Sequence, residues 1–255
     1  MRSLTLVALF TRLELVRWLA GRSFVFALVI NQAVTPLIGL VVWTTALPTQ
    51  PHLAAYYVIL LFVQLLTVSY ENHTFSNAIY EGELADDLLR PYPVVLRLLG
   101  ENIAIRIWHV VLGIPLLIGI LLLVPVHLSA TDALLTAPSL VMAAGLRFVF
   151  TYTLALTALW TDRAHNVVGL GGSMIFLLGG GAVPLRLMPN SLQPFAAALP
   201  FRAMHGLPAE IGSGWLSAPE IAAGYGWQAV WLTALIGVNG LIWRAGLRRY
   251  SAVGG

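Results

Sequence analysis

Long apolar runs dominate this sequence and restrict what it can fold into. A run of about 18 or more apolar residues can cross a membrane as a helix. Hydrophobic residues make up 58% of the 255-residue chain and charged residues only 10%, whereas a soluble domain carries about 25% charged residues. We predict an all-α membrane protein with one domain, 1–255, and six transmembrane helices at about 23–46, 53–76, 104–126, 134–158, 166–184 and 227–245.

The N-terminal 20 residues differ from these runs. Arg12, Glu14 and Arg17 interrupt an otherwise apolar helical pattern. A pattern of this kind predicts a helix that lies in the plane of the membrane interface. The alternative is that these residues extend the first transmembrane helix.

The arginines predict the orientation in the membrane. All 14 basic residues are arginines, and the net charge is only +3. With six spans, ten arginines fall on one side: Arg2, Arg12, Arg17, Arg22, Arg90, Arg97, Arg163, Arg244, Arg248 and Arg249. Basic residues favour the cytoplasmic side, so both termini are predicted to be cytoplasmic. The small net charge fits contact with membrane lipid rather than with nucleic acid.

Missing residue types exclude several chemistries. A P-loop requires a lysine, and the chain has none, so ATP hydrolysis by that route is excluded. Without cysteine there is no disulfide or thiolate metal site. The histidines lack zinc-binding spacing. We therefore predict no catalytic residue, no metal site and no cofactor in this chain.

Two alternatives to a transport function remain open from the residues alone. Glu83 and Asp87 lie one helical turn apart and could hold Mg²⁺ in an intramembrane enzyme. Such enzymes usually need a second acidic motif, and the second cytoplasmic loop offers only Asp162. The other alternative is a membrane scaffold or sensor subunit that does not transport.

One segment between the second and third runs is unusually charged. Residues 81–91, EGELADDLLRP, hold four of the chain's 11 acidic residues. The acids come first and Arg90 comes last, an order that suits the dipole of a short helix. An apolar ridge flanked by these charges could bind a soluble partner, and its members are Leu84, Leu88 and Leu89.

Two motifs support a family assignment. GELADDLLRP, 82–91, follows the second predicted span, and VPLRLMPNSLQPFAAALPFRAMHGLPAEI, 183–211, precedes the sixth. Together with the six-span layout, they resemble a type-2 ATP-binding-cassette (ABC) exporter permease, in the branch with an LLRP motif after span two. The resemblance covers essentially the whole chain.

The resemblance implies partners and a role. Two permease subunits, identical or different, would dock on cytoplasmic ABC ATPase subunits that bind ATP and Mg²⁺. The assembly would export a hydrophobic or amphipathic substrate across a bacterial inner membrane, from the cytoplasm or the inner leaflet. The cytoplasmic segments would couple to the ATPase through a coupling helix and a second loop: Glu81, Gly82, Glu83, Leu84, Asp86, Asp87, Leu88, Leu89, Arg90, Pro91, Asp162 and Arg163.

The segment from about 185 to 225 is predicted to be external. It is rich in proline, and its apolar stretch is too short to span. We predict a re-entrant or interfacial hairpin that caps the outer mouth of the path, with a plain loop as the alternative.

Polar residues within the apolar runs are candidates for the substrate path, because such residues are costly in lipid. The candidates are Asn31, Gln32, Gln64, Tyr70, Glu71, Arg147 and Ser173. The alternative for Arg147 and Glu71 is an ion pair that only supports helix packing. His109 is expected to hydrogen-bond between helices, with a proton relay as the alternative.

Overall fold

The computed structural model describes residues 3–126 and 128–250, and all regular secondary structure in these ranges is helical. Short 3₁₀ turns occur at Leu156–Leu159 and Leu185–Leu187. The α-helices, in chain order, are α1 Ser3–Ala20, α2 Arg22–Ala46, α3 Leu53–Thr67, α4 Glu71–Tyr80, α5 Glu83–Leu88, α6 Val94–Leu123, α7 Ala130–Ala155, α8 Ala164–Leu178, α9 Gln193–Ala198, α10 Pro200–Met204, α11 Gly206–Gly212 and α12 Ala218–Leu247.

All six predicted apolar runs contain a helix, which confirms the all-α prediction for the described ranges. Four helices are long and apolar enough to cross a membrane, at Phe26–Ala46, Val94–Leu123, Ala130–Leu159 and Ala218–Leu247. The remaining two, α3 and α8, are apolar but shorter. The number of spans therefore stays a prediction.

The second run differs from the continuous helix predicted over 53–76. α3 ends at Thr67, Val68 is extended with φ −51° and ψ 142°, and the helix resumes at Glu71. No proline lies at this point. The break persists because side chains of α6 bind the backbone groups that it frees, as described below.

Two long helices begin earlier than predicted. α6 begins at Val94 rather than near 104, because Arg97 and Glu101 pair one turn apart and offset each other's charge. α12 begins at Ala218 rather than near 227. A capping box between Ser217 and Glu220 satisfies its first turn.

α3 forms the centre of the bundle. It packs against α2, α6, α7 and α11, and its largest fully buried side chains are Leu53, Tyr56, Tyr57, Leu60, Leu61 and Leu65. A second apolar cluster lies where α4, α5, α6 and α7 meet, and it contains Phe75, Leu84, Leu98, Tyr152 and Leu156. The charged segment packs against the bundle through this second cluster.

The N-terminal helix packs along α6. Gly100 of α6 contacts Phe10 and the backbone of α1 at Thr11 and Val7, so the two helices approach closely there. Residues 3–20 are helical as predicted. Their position in the membrane interface stays a prediction.

The segment before α12 is packed into the bundle instead of forming an open loop. It folds into α9, α10 and α11, and every residue of α11 is buried. The Tyr56 hydroxyl donates to Gly180 O at 2.8 Å, and Gly180 has a φ of +94° that favours glycine. The plain-loop alternative therefore does not describe these residues, whereas their depth in the membrane stays a prediction.

Candidate functional site

The charged segment forms a short exposed helix, α5, that follows α4 after a tight turn. Gly82 makes the turn with a left-handed φ of 81°, which glycine adopts without steric cost. Most of the predicted coupling residues here are exposed, and they are Glu81, Glu83, Asp86, Leu88, Leu89, Arg90 and Pro91. We call these residues the α5 surface.

Leu84 departs from the predicted apolar ridge. Its side chain is 0% exposed and packs in the second apolar cluster, whereas Leu88 is 41% and Leu89 86% exposed. Spacing alone placed the three leucines together. α5 instead uses Leu84 to attach to the bundle, because the apolar residues of α4 and α6 lie beneath it.

Asp87 also faces inward. Its Oδ2 accepts a hydrogen bond from Arg97 Nη2 at 2.5 Å, and Arg90 Nε lies 3.8 Å from its Oδ1. Arg97 additionally pairs with Glu101. Asp87 is buried and paired with arginine, whereas Glu83 is exposed, so these two carboxylates do not form the joint Mg²⁺ site of the enzyme alternative.

The second predicted contact, at Asp162 and Arg163, lies beside the end of α4. The Tyr80 hydroxyl donates to Thr161 O at 2.9 Å and accepts from the backbone N–H of Ala164 at 3.1 Å. Both Asp162 and Arg163 are exposed. The structure therefore brings the two predicted cytoplasmic segments together through Tyr80, a residue that the sequence analysis did not single out.

A polar cluster lies inside the bundle at the break between α3 and α4, and its charged members are Glu71, Arg106 and Arg147. Arg106 of α6 caps the carbonyl end of α3: its Nε donates to Val68 O at 2.9 Å, and its Nη2 donates to Ser69 Oγ at 3.1 Å. Nη2 also donates to Ala144 O of α7 at 2.9 Å. A cation at the C-terminal end of a helix is favoured by the helix dipole, so Arg106 stabilises the break.

Glu71 begins α4 on the other side of the break. Asn102 of α6 donates to its Oε1, and the Thr151 hydroxyl of α7 donates to its Oε2 at 2.9 Å. No ion pair joins Glu71 to Arg147 among the described residues. The direct pair considered from the sequence is therefore wrong, because amide and hydroxyl groups satisfy the carboxylate instead.

Arg147 anchors a chain of polar side chains that connects four helices, α7, α3, α2 and α6. Its Nη1 donates to Gln64 Oε1 at 3.1 Å, and Gln64 Nε2 donates to Gln32 Oε1 at 2.5 Å. Gln32 Nε2 then donates to the Tyr70 hydroxyl at 2.9 Å, and that oxygen lies 3.5 Å from His109 Nε2. Five polar residues considered above from the sequence thus lie in one hydrogen-bond network.

His109 completes this chain. Its Nδ1 lies 2.9 Å from Ile105 O, and because a carbonyl only accepts, Nδ1 carries the hydrogen. Nε2 is therefore the acceptor that faces Tyr70. This arrangement is the hydrogen-bonding role expected for His109.

Two predicted path residues lie outside the network. Asn31 and Ser173 are exposed, and the Ser173 hydroxyl donates to Gly169 O of its own helix at 2.9 Å. Conversely, three residues with hydrogen bonds to Glu71 or close to Arg147 were not predicted from the sequence, namely Asn102, Thr151 and His205. Their residue types are ordinary in helices, and only an expectation that a buried Glu71 needs donors could have pointed to the first two.

The comparison with known families decides the assignment. A family model described as ABC-2 family transporter protein matches residues 19–254. The chain belongs to the ABC-2 transporter family. No curated protein and no solved structure matches it at a significant level.

Membership in this family makes the chain a multi-pass membrane component of an ABC transporter. In ABC-2 systems the permease is typically non-catalytic, and a separate ABC ATPase partner hydrolyses ATP. Within residues 3–126 and 128–250, no three metal-ligating side chains converge. The α5 surface and the polar cluster are therefore both parts of the membrane component of an ABC transporter.

Proposed function

We propose that this ABC-2 protein is the permease subunit of an exporter in a bacterial inner membrane, with both termini in the cytoplasm. Its substrate is hydrophobic or amphipathic and leaves from the cytoplasm or from the inner leaflet. ATP and Mg²⁺ bind to the partner ATPase. The proposal follows from the family, the apolar helices and the arginine distribution.

The proposal depends most on the two sides of α5, one of which packs on the bundle while the other is exposed. Three carboxylates and two leucines project outward, whereas Leu84 and Asp87 of the same helix face inward. An apolar centre with a charged rim suits a groove on a soluble partner. Asp162 and Arg163 extend this surface through the Tyr80 hydrogen bonds.

Movement of α5 would reach the polar cluster through two helices. Leu84 packs with Phe75 of α4, and Asp87 binds Arg97 at the beginning of α6. The same two helices carry Glu71, Asn102 and Arg106 in the cluster. Closure of the ATPase subunits would therefore shift the polar cluster, because packed helices move as rigid elements.

A second permease subunit completes the proposed assembly, as a homodimer or a heterodimer. α12 is the least buried of the long helices, and its exposed apolar residues include Trp227, Val230, Ile236 and Leu241. Lipid or the second subunit would cover such a face. A scaffold or sensor subunit that does not transport would need the same α5 surface. In that case no substrate would bind at the polar cluster.

Co-purification tests the coupling role. In the double variant Leu88→Ser and Leu89→Ser, we expect loss of the ABC ATPase from affinity isolates in mild detergent, analysed by mass spectrometry. The control is Leu192→Ser with Phe195→Ser, two exposed apolar residues of the predicted external segment. Membrane insertion should be normal in both variants. Unchanged ATPase recovery in the α5 variant would refute the coupling role.

A further inference from the structure

The charges within the polar cluster are unequal. Arg106, Arg147 and Glu71 lie in the cluster, and among the described residues neither arginine is in ion-pair contact with a carboxylate. Arg106 is nevertheless well satisfied, since backbone carbonyls at the break accept its hydrogen bonds. Arg147 is the cation that the cluster leaves largely uncompensated.

Few hydrogen-bond acceptors lie close to the N–H donors of Arg147. Gln64 Oε1 accepts one hydrogen bond, and His205 Nδ1 lies at 3.5 Å. The Nε of Arg147 is buried and has no hydrogen-bond partner. A guanidinium offers five N–H donors in a planar fork that matches carboxylate and phosphate groups, so most of this fork is unused.

The direction of the hydrogen bonds in the chain that begins at Gln64 explains why these donors of Arg147 lack acceptors. From Gln64 through Gln32 to Tyr70, each side chain donates away from Arg147. The amide oxygen of Gln64 is therefore the single acceptor that this chain presents to the guanidinium. All the partners are neutral, whereas a buried cation is normally paired with a counter-charge.

We propose that Arg147 binds the anionic head group, a phosphate or carboxylate, of an amphiphilic substrate. This inference rests on the proposed export function and names the substrate class for the same path. Arg147 Nε and the remaining guanidinium donors bind the anion. Gln64 and His205 hold the guanidinium in place.

The surface of α2 supports an amphiphile over a free anion. Gln32 is half-buried at the end of the polar chain, and Asn31 beside it is exposed. Around them the same helix exposes apolar side chains, at Ile30, Val34 and Ile38. A head group that reaches the polar chain would leave its hydrocarbon tail against this apolar face, where burial of each CH₂ is favourable.

Binding to the full-length chain in a nonionic detergent tests the inference without requiring the ATPase. The probes are dodecyl phosphate, dodecyltrimethylammonium and inorganic phosphate, and thermal shift titration reports the dissociation constant. We expect saturable binding of dodecyl phosphate and none of the cation. Inorganic phosphate should not compete at equal concentration, because it lacks the tail. Equal binding of the cation, or full competition by inorganic phosphate, would overturn the proposal.

Variants assign the binding to Arg147. Arg147→Gln should weaken dodecyl phosphate binding at least about tenfold, as expected for loss of a charge-assisted hydrogen bond. Arg147→Lys keeps the charge but loses the planar fork of donors, so its affinity should lie between those of Arg147→Gln and the wild type. Arg248→Gln removes an exposed arginine at the end of α12 and should bind like the wild type. Wild-type affinity in a folded Arg147→Gln protein would refute the assignment.

The two proposals can fail separately. Binding that depends on Arg147, in a protein that recovers no ATPase, would leave the anion site standing and remove the exporter. Recovery of the ATPase through the α5 surface, with no probe bound, would leave the permease role standing and remove the anion site.

Discussion

Arg97 of α6 forms an ion pair with Asp87 of α5, with 2.5 Å between Nη2 and Oδ2, and also pairs with Glu101 of its own helix. This contact ties the exposed charged helix to the beginning of a long membrane helix. Asn102 and Arg106, further along α6, hold the break between α3 and α4. One helix therefore connects the α5 surface to the polar cluster.

Replacing Asp87 with Asn should weaken this connection without removing the partner surface. The pair is only partly exposed, so we expect a loss of about 1–3 kcal/mol in stability, measured by thermal unfolding in mild detergent. ATPase recovery should persist, because Asp87 faces inward, while substrate-stimulated ATPase activity falls. Asp86→Asn, at an exposed position of α5, is the stability control and should stay within about 0.5 kcal/mol.

Leu84 and Leu89 should respond in opposite ways to alanine. Leu84→Ala removes a fully buried side chain and should cost about 2–5 kcal/mol of stability. Leu89→Ala removes an exposed side chain and should cost less than about 0.5 kcal/mol, while reducing ATPase recovery. Thermal unfolding and affinity isolation measure the two effects. Equal stability loss in both variants would contradict the inward position of Leu84.

Arg106→Gln should destabilise the fold. The substitution removes donors from the carbonyls at the break, and each buried acceptor left unpaired costs about 1–3 kcal/mol. We expect lower expression and a lower unfolding temperature, with partial recovery in Arg106→Lys. A wild-type unfolding temperature for Arg106→Gln would show that Arg106 does not support the break.

Arg147→Leu should affect transport more than folding. Removal of the charge leaves no carboxylate unpaired, and the acceptor that it frees, Gln64 Oε1, lies on a half-buried side chain. The unfolding temperature should therefore fall less than in Arg106→Gln. ATP-dependent accumulation of a fluorescent alkyl phosphate in inverted membrane vesicles should decrease at least about tenfold. Full transport at normal expression would exclude Arg147 from the path.

Tyr80→Phe isolates the contact between the two cytoplasmic segments. The variant removes the hydroxyl that binds Thr161 and Ala164 and keeps the aromatic ring. We expect a stability loss of about 0.5–1.5 kcal/mol per lost hydrogen bond and weaker ATPase recovery. The matched control for ATPase recovery is Tyr225→Phe on α12, which loses the hydrogen bond to Leu135 O of α7 and should recover the ATPase normally.

Hydropathy and charge predicted much of this protein because both are local properties of the chain. The apolar runs located α2, α6, α7, α8 and α12. The two motifs and the layout of the runs pointed to the family that the match over residues 19–254 then established. Four polar residues named as candidates for the substrate path share one hydrogen-bond network, and they are Gln32, Gln64, Tyr70 and Arg147. Their role in a substrate path stays a prediction.

The partners of those residues could not be read from the sequence. Gln64 and Arg147 are 83 positions apart, and Tyr80 and Ala164 are 84 apart. Helical spacing says which residues share a face, but it does not say which face a neighbouring helix covers. For that reason Leu84 was grouped with the exposed leucines, and the break after Thr67 was missed.

The sequence by itself determined that the chain forms apolar helices with a charged segment between two of them, because lipid forces backbone groups to pair within each helix. The tertiary structure alone decided which side of α5 faces outward, where α3 breaks and that, among the described residues, no carboxylate is in ion-pair contact with Arg147. These features depend on side chains from distant helices meeting at one point, and burial makes each unmet hydrogen bond or charge costly.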